Sequence, residues 1–212
     1  MTAGSSHWFS DDETKPAPEP LNRIQALVNS VEWDFDRDRL ADPAEAVPWL
    51  VRTGLLTPGA ELTEPDVELL RGVREALRAV LVHNTGGPAP AEAQLAPLRR
   101  LAARGAARVA LADDGGIELA PEGDSVADRL FDLLLIIRDA QRDGSWVHLK
   151  ACANEDCRWA FYDRSRNHGG TWCDMATCGN KIKNREFRAR RRAAEVTSTD
   201  AIPGRRPARR AR

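Results

Sequence analysis

The chain has 212 residues with 31 Lys and Arg against 32 Asp and Glu, a formal net charge of −1, and a length that fits one larger domain plus a small appended module. That near-neutrality hides a split, because residues 1–145 carry 15 cationic against 25 acidic side chains (net −10) and residues 146–212 carry 16 against 7 (net +9). The basic part suits a polyanion or the acidic part of its own chain, while the longest apolar run, Leu133-Leu134-Leu135-Ile136-Ile137, is too short to span a bilayer.

Residues 1–20 are polar and proline-rich, without the apolar segment of a signal peptide, and read as a disordered leader. A cytoplasmic location without a membrane partner is expected. From Leu21 the apolar positions Leu21, Ile24, Leu27, Val28 and Val31 recur at helical intervals. Asp42-Pro43 opens a short helix bearing Val47, Trp49, Leu50 and Val51, ended by Gly54. Thr63-Glu64-Pro65-Asp66 has the form of a capping box. The helix it starts carries Val67, Leu70, Val73, Leu77, Val80 and Leu81 on one face and runs to about His83. After Gly86-Gly87-Pro88, a further helix bearing Leu95, Leu98 and Leu101 ends near Gly105. Val109 and Leu111, the turn Asp114-Gly115-Gly116, then Ile117 and Leu119 predict a hairpin. Ser125-x-x-Asp128 caps a helix whose apolar residues from Leu130 to Ile137 cover nearly its whole circumference, so it is expected at the domain centre until Gly144 closes it. The fold class is mostly α with a small β-hairpin (α+β): a helical domain over 21–145, a small four-cysteine module with a basic helix over 146–194, and a disordered basic tail over 195–212.

All four cysteines lie in the second part: Cys152-x4-Cys157, fifteen residues, then Cys173-x4-Cys178. Paired cysteines in a reducing compartment favour metal over disulfide. Two close pairs across a short spacer suit a tetrahedral Zn²⁺ site, each pair reaching the ion from one turn. Residues 146–151 and 158–163 read as strands flanking the first pair. So small a module has little core, and zinc ligation, worth about 10–16 kcal/mol in comparable peptides, would supply much of its stability. The alternatives are four ordinary buried cysteines, a redox pair whose four-residue gap departs from Cys-x-x-Cys, or a site in which His148 or His168 replaces a thiolate. Four thiolates leave no open position on the ion, and no Ser/His/Asp order, phosphate loop or HExxH motif accompanies them. Catalysis is not expected.

Residues 157–167 (Cys-Arg-Trp-Ala-Phe-Tyr-Asp-Arg-Ser-Arg-Asn), residues 171–181 (Thr-Trp-Cys-Asp-Met-Ala-Thr-Cys-Gly-Asn-Lys) and the basic run after them resemble the bacterial CGNR zinc fingers. The region before them, with Leu27-Val28-Asn29-Ser30-Val31 and Trp49-Leu50-Val51-Arg52-Thr53-Gly54-Leu55, is similar to the ABATE domain that accompanies those fingers. Lys181 replaces the arginine of the motif, so a positive charge remains without a bidentate guanidinium. The resemblance implies a stress-related transcriptional regulator with the finger on DNA. It also implies Cys152, Cys157, Cys173 and Cys178 as ligands of one structural Zn²⁺, Gly179 as the residue permitting a tight last turn, and Asn180 as a cap satisfying an orphan amide of the next helix.

The residues themselves also point to nucleic acid. In a helix from Asn180 onward, Lys181, Arg185, Arg188 and Arg192 share one face, with Lys183, Arg190 and Arg191 widening the stripe. So dense a set of cations is favourable when it releases counterions from phosphate, although a merely solvated helix is the bland reading. Arg164 and Arg166 flank the first turn and could add backbone contacts. Two functions follow: a regulator of duplex DNA whose helical domain binds a small-molecule effector or forms a homodimer, or an RNA-binding or protein-interaction adaptor in which zinc is a staple. Trp159, Phe161, Tyr162 and Trp172 would stack on bases in the second reading, or form the module's core in either.

Overall fold

A computed structural model describes residues 8–199. The chain divides into two compact units, Met1–Cys173 and Asp174–Arg212. The first holds helices α1 (Asn22–Val28), α2 (Pro43–Arg52), α3 (Glu64–Asn84), α4 (Glu92–Arg104) and α5 (Val126–Asp143). It also holds three antiparallel two-stranded ribbons: β1 (Val31–Glu32) with β2 (Arg37–Asp38), β3 (Ala107–Leu111) with β4 (Ile117–Pro121), and β5 (Leu149–Ala151) with β6 (Ala160–Tyr162). The second unit is a helical turn (Met175–Gly179) leading into α6 (Asn180–Thr199). The expected class, mostly α with small β elements, is the observed one.

Local signals place the helix starts. Asp42 accepts from the Ala44 N–H with Pro43 in the first turn, and Thr63/Asp66 and Ser125/Asp128 form reciprocal capping boxes. Gly144 closes α5 with φ of 81°, a conformation other residues rarely adopt. The first helix is shorter than its periodicity suggested. It stops at Val28, and Val31 pairs with Asp38 in the β1–β2 ribbon.

The centre of the core differs from the expectation. In α5 only Val126, Leu130, Leu133 and Ala140 are fully buried, while Phe131, Leu134, Leu135, Ile136 and Ile137 are half-buried. The central helix is instead α3, which packs against α1, α4, α5 and β5. An all-round apolar circumference permits central burial but does not require it. What hid the role of α3 is its two buried arginines, Arg74 and Arg78. Arg74 grips Asp38 through two hydrogen bonds of 2.7 and 2.9 Å and also donates to Ser30, while Arg78 donates to the Val28 carbonyl at the end of α1. Paired in this way, side chains that read as solvent-facing are buried at little cost.

The β3–β4 hairpin forms in the register Val109↔Leu119 and Leu111↔Ile117, but Val109, Leu111 and Ile117 are exposed.

Residues 8–20, expected to be a disordered leader, are ordered. Ala17 is buried, and its N–H donates to Gln25 Oε1 at 2.6 Å. The Tyr162 N–H donates to the Lys15 carbonyl, so this segment lines the free edge of β6. Glu13 accepts from the Trp159 indole at 2.8 Å and from Asn29 at 3.1 Å. Burial pushes the Glu13 carboxyl up despite these bonds. Polar and proline-rich composition suggested disorder, yet such a segment is held wherever its backbone groups find partners. Residues 1–7 of that expected leader lie outside the described residues. Of the expected tail, residues 195–199 continue α6 and the remainder, 200–212, is likewise outside.

The boundary expected at 145/146 is not a packing boundary. Leu149, Ala151 and Ala160 belong to the same buried cluster as Leu27, Leu77 and Leu81. Residues 146–173 therefore fold with the helices, because three-residue strands have too little surface for a core of their own.

Candidate metal centre

Cys152 directly follows β5 and its N–H donates to the Trp159 carbonyl, continuing the ribbon to the first cysteine. The turn beyond it is closed by the Cys157 and Arg158 N–H groups, both donating to the Asn154 carbonyl at 2.9 Å. Thr171 comes alongside through the Ala153 N–H, which brings Cys173 to the first pair. Cys178 lies in the turn Met175–Gly179, where Asp174 accepts from the Thr177 N–H and hydroxyl at 2.7 and 2.9 Å.

The four Sγ atoms all lie within 4.8 Å of one another, with Cys157 and Cys173 at 3.7 Å. A tetrahedron with metal–sulfur bonds of ~2.3 Å has sulfur–sulfur edges of about 3.8 Å. The donor set therefore fits Zn²⁺ in both chemistry and spacing. Backbone N–H groups aim at the sulfurs as well: those of Cys173 and Asn154 at Cys152, and that of Trp159 at Cys157. Hydrogen bonds from Cys157 and Cys173 hold the Cys152 thiol far below the usual thiol range, while sharing with that first anion pushes Cys157 and Cys173 up. Several thiols so close together resist collective ionisation until a cation takes up the charge.

Histidine takes no part in this ligand cluster. His148 and His168 stack on each other with ring centres 3.8 Å apart. Around them lies a feature that spacing alone did not reveal. Lys150 and Asp163, both buried, form an ion pair at 2.8 Å, and Asp163 also accepts from the N–H groups of Ser165 and Gly170. A side chain at Gly170 would press on that carboxylate, its Cβ 2.9 Å away. The clamp closes the loop from β6 to the second cysteine pair. Burial would raise the Asp163 carboxyl, but the bonds from Lys150, Ser165 and Gly170 outweigh it and hold the group below the usual range. Its contribution is thus complete above the unfolded value of about 3.9 and fades as pH falls toward the folded one. Asp163→Ala should cost about 3–5 kcal/mol by leaving the Lys150 charge buried and uncompensated, measured by urea denaturation at neutral pH. A loss below about 1 kcal/mol, the scale of a surface pair, would show that the loop is held elsewhere.

Two of the expected structural roles change. Asn180 does not cap an orphan amide: its side chain donates to the Ala176 carbonyl, and the capping is done by Asp174. Gly179 is buried inside a wide turn rather than a tight one, its N–H reaching back to the Asp174 carbonyl. Along α6, Lys181, Arg185, Arg188 and Arg192 line one shallow groove with Asn184 and Ala189, the shared face that their spacing predicted. Lys183, Arg190 and Arg191 are exposed too, whereas Ile182 is buried. Arg164 is occupied in part, donating to the Pro16 carbonyl over the Tyr162 ring, and Arg166 is exposed. Among the described residues no helix is long and apolar enough to cross a membrane.

Comparison with known families divides the chain between residues 141 and 148, where the sequence placed its boundary, although packing divides it after Cys173. Residues 148–191 match the CGNR zinc finger. Residues 21–141, more than half the chain, match the ABATE family, described as "Putative stress-induced transcription regulator". No curated protein matches the chain. With the four-cysteine cluster inside the finger match and the helices α1 to α5 carrying the other, the chain belongs to the ABATE family and bears a CGNR zinc finger after that domain.

Proposed function

We propose that this protein is a DNA-binding transcriptional regulator that holds one structural Zn²⁺ per chain through Cys152, Cys157, Cys173 and Cys178. When bound, zinc with four thiolates has no open position and acts as a cross-link. The basic helix is the DNA-contacting element, and the helical domain serves effector binding or homodimerisation. The observation that carries this reading is the common groove of Lys181, Arg185, Arg188 and Arg192 on the helix that begins two residues after Cys178. Cations gathered on one face gain by releasing the counterions of a phosphate backbone. Arg166 and the exposed Lys183, Arg190 and Arg191 extend the charged surface within their own units.

Binding of RNA or a single strand has less support, because two of the four aromatics that would stack are engaged: Trp159 with Glu13, and Phe161 in the interior. Half-buried Tyr162 and Trp172, and Phe187 exposed on α6 among the cations, keep this second reading open. Titration of the zinc-loaded full chain with duplex DNA, single-stranded DNA and RNA of one sequence, at several fixed salt concentrations, decides between them. Preference for the duplex supports the regulator; preference for a single strand would replace it with the adaptor.

A further inference from the structure

The first cysteine turn is carried by two three-residue strands, a ribbon too short to be stable alone. Its outer edges, however, are hydrogen-bonded by side chains of the helical domain. On β6 the Asn29 amide stands in for a strand, accepting from the Ala160 N–H at 2.7 Å and donating to the Ala160 carbonyl at 2.9 Å. Gln25 adds a second donor to that carbonyl at 3.1 Å. On β5 Thr85 Oγ1 donates to the Ala151 carbonyl at 2.6 Å, one residue before the first ligand, and Asn84 to the Leu149 carbonyl at 3.0 Å. Between them, Arg158 follows Cys157 directly with φ of 49°, a left-handed conformation disfavoured for a side chain of its size. Its carbonyl is held by buried Arg78 at 2.9 Å.

Asn29, Gln25 and Arg78 are each less than 6% exposed. A buried amide or guanidinium without a partner is costly, so these side chains favour the docked ribbon whether or not metal is present. We infer that Asn29, Gln25, Arg78 and Thr85 are positioning residues for zinc: they hold the turn of Cys152 and Cys157 in ligand geometry before the ion arrives. Zinc affinity is then a property of α1 and α3 as well as of the cysteines. By linkage, a ligand that reshapes those helices changes metal affinity, and metal changes its affinity by the same factor. The inference rests on the four cysteines being zinc ligands and is independent of what α6 binds.

Two measurements on the full chain test it. In protein stripped of zinc by a chelator, hydrogen exchange should find the amides of Cys152 and Ala160 still protected. If protection over residues 149–162 collapses on stripping while α3 stays protected, the metal orders the turn and the inference falls. Competition with a chromophoric chelator should show zinc binding ~10–100-fold weaker in Asn29→Ala, the range seen for residues that orient metal ligands, and weaker to a lesser degree in Thr85→Val. Leu101→Ala, a core change on α4, is the control and should leave zinc affinity as in wild type. Thr85→Val decides alone if Asn29→Ala lacks the wild-type helical signal. Wild-type affinity in both variants, or an equal loss in the control, would overturn the assignment. A wild-type chain that takes up no zinc would remove the metal reading itself, which is a different failure.

Discussion

Serine at Cys173 should abolish zinc retention: protein prepared without added metal should carry close to one zinc per chain in the wild type and none in Cys173→Ser. Serine keeps the size of the side chain but offers a hydroxyl that does not ionise at neutral pH, and soft Zn²⁺ sites depend on thiolate. The apparent ligation energy of such sites, about 10–16 kcal/mol in finger peptides, makes this the largest single effect open to one substitution. The structure also shapes how the loss should look. Because β5 and β6 share a core with α1 and α3, removing a ligand for the native state should move one thermal transition of the whole first unit downward. Disappearance of a separate small transition, with the helical one unmoved, would show that the finger melts by itself. Retention of one zinc by the variant would dismiss the four-thiolate assignment.

The second large effect concerns nucleic acid. Alanine at Lys181, Arg185 and Arg188 together should weaken duplex binding and flatten its salt dependence. Each phosphate that is no longer neutralised takes about 0.9 off the slope of log K against log salt, so the triple variant should be shallower by about 2.7. Alanine is the best helix former, so weaker binding would not reflect a melted α6. The far-ultraviolet circular dichroism signal should be unchanged or slightly larger. An unaltered slope would place the footprint elsewhere, with Arg166 and the opposite side of α6 the next surfaces to change. The comparison belongs on the full chain, since a fragment starting at residue 146 would remove Asn29, Arg78 and Thr85 from the ribbon they hold.

Much was legible in the sequence because it depends on neighbours along the chain. The capping boxes at Thr63 and Ser125, the hairpin turn at Gly115 and the face of Lys181, Arg185, Arg188 and Arg192 are short-range geometry, set by helical period and turn chemistry. The four cysteines were legible because few other arrangements use two close pairs. Only the tertiary structure decided which apolar helix lies at the centre, that Arg74 and Arg78 are buried, and that residues 8–20 are ordered. Each of those depends on a partner far along the chain: Asp38 for Arg74, Val28 for Arg78, Trp159 and Tyr162 for the N-terminal segment. A buried polar residue carries the same letter as an exposed one, and nothing in its own segment says which carbonyl it will find. For the same reason the Lys150–Asp163 clamp and the Asn29 contact with Ala160 left no periodic trace. By itself the sequence determined the cysteine pairs, the helix starts and the charged face, through local geometry. The three-dimensional fold decided that the first half of the finger belongs to the helical unit, because hydrogen bonds between distant segments place it there.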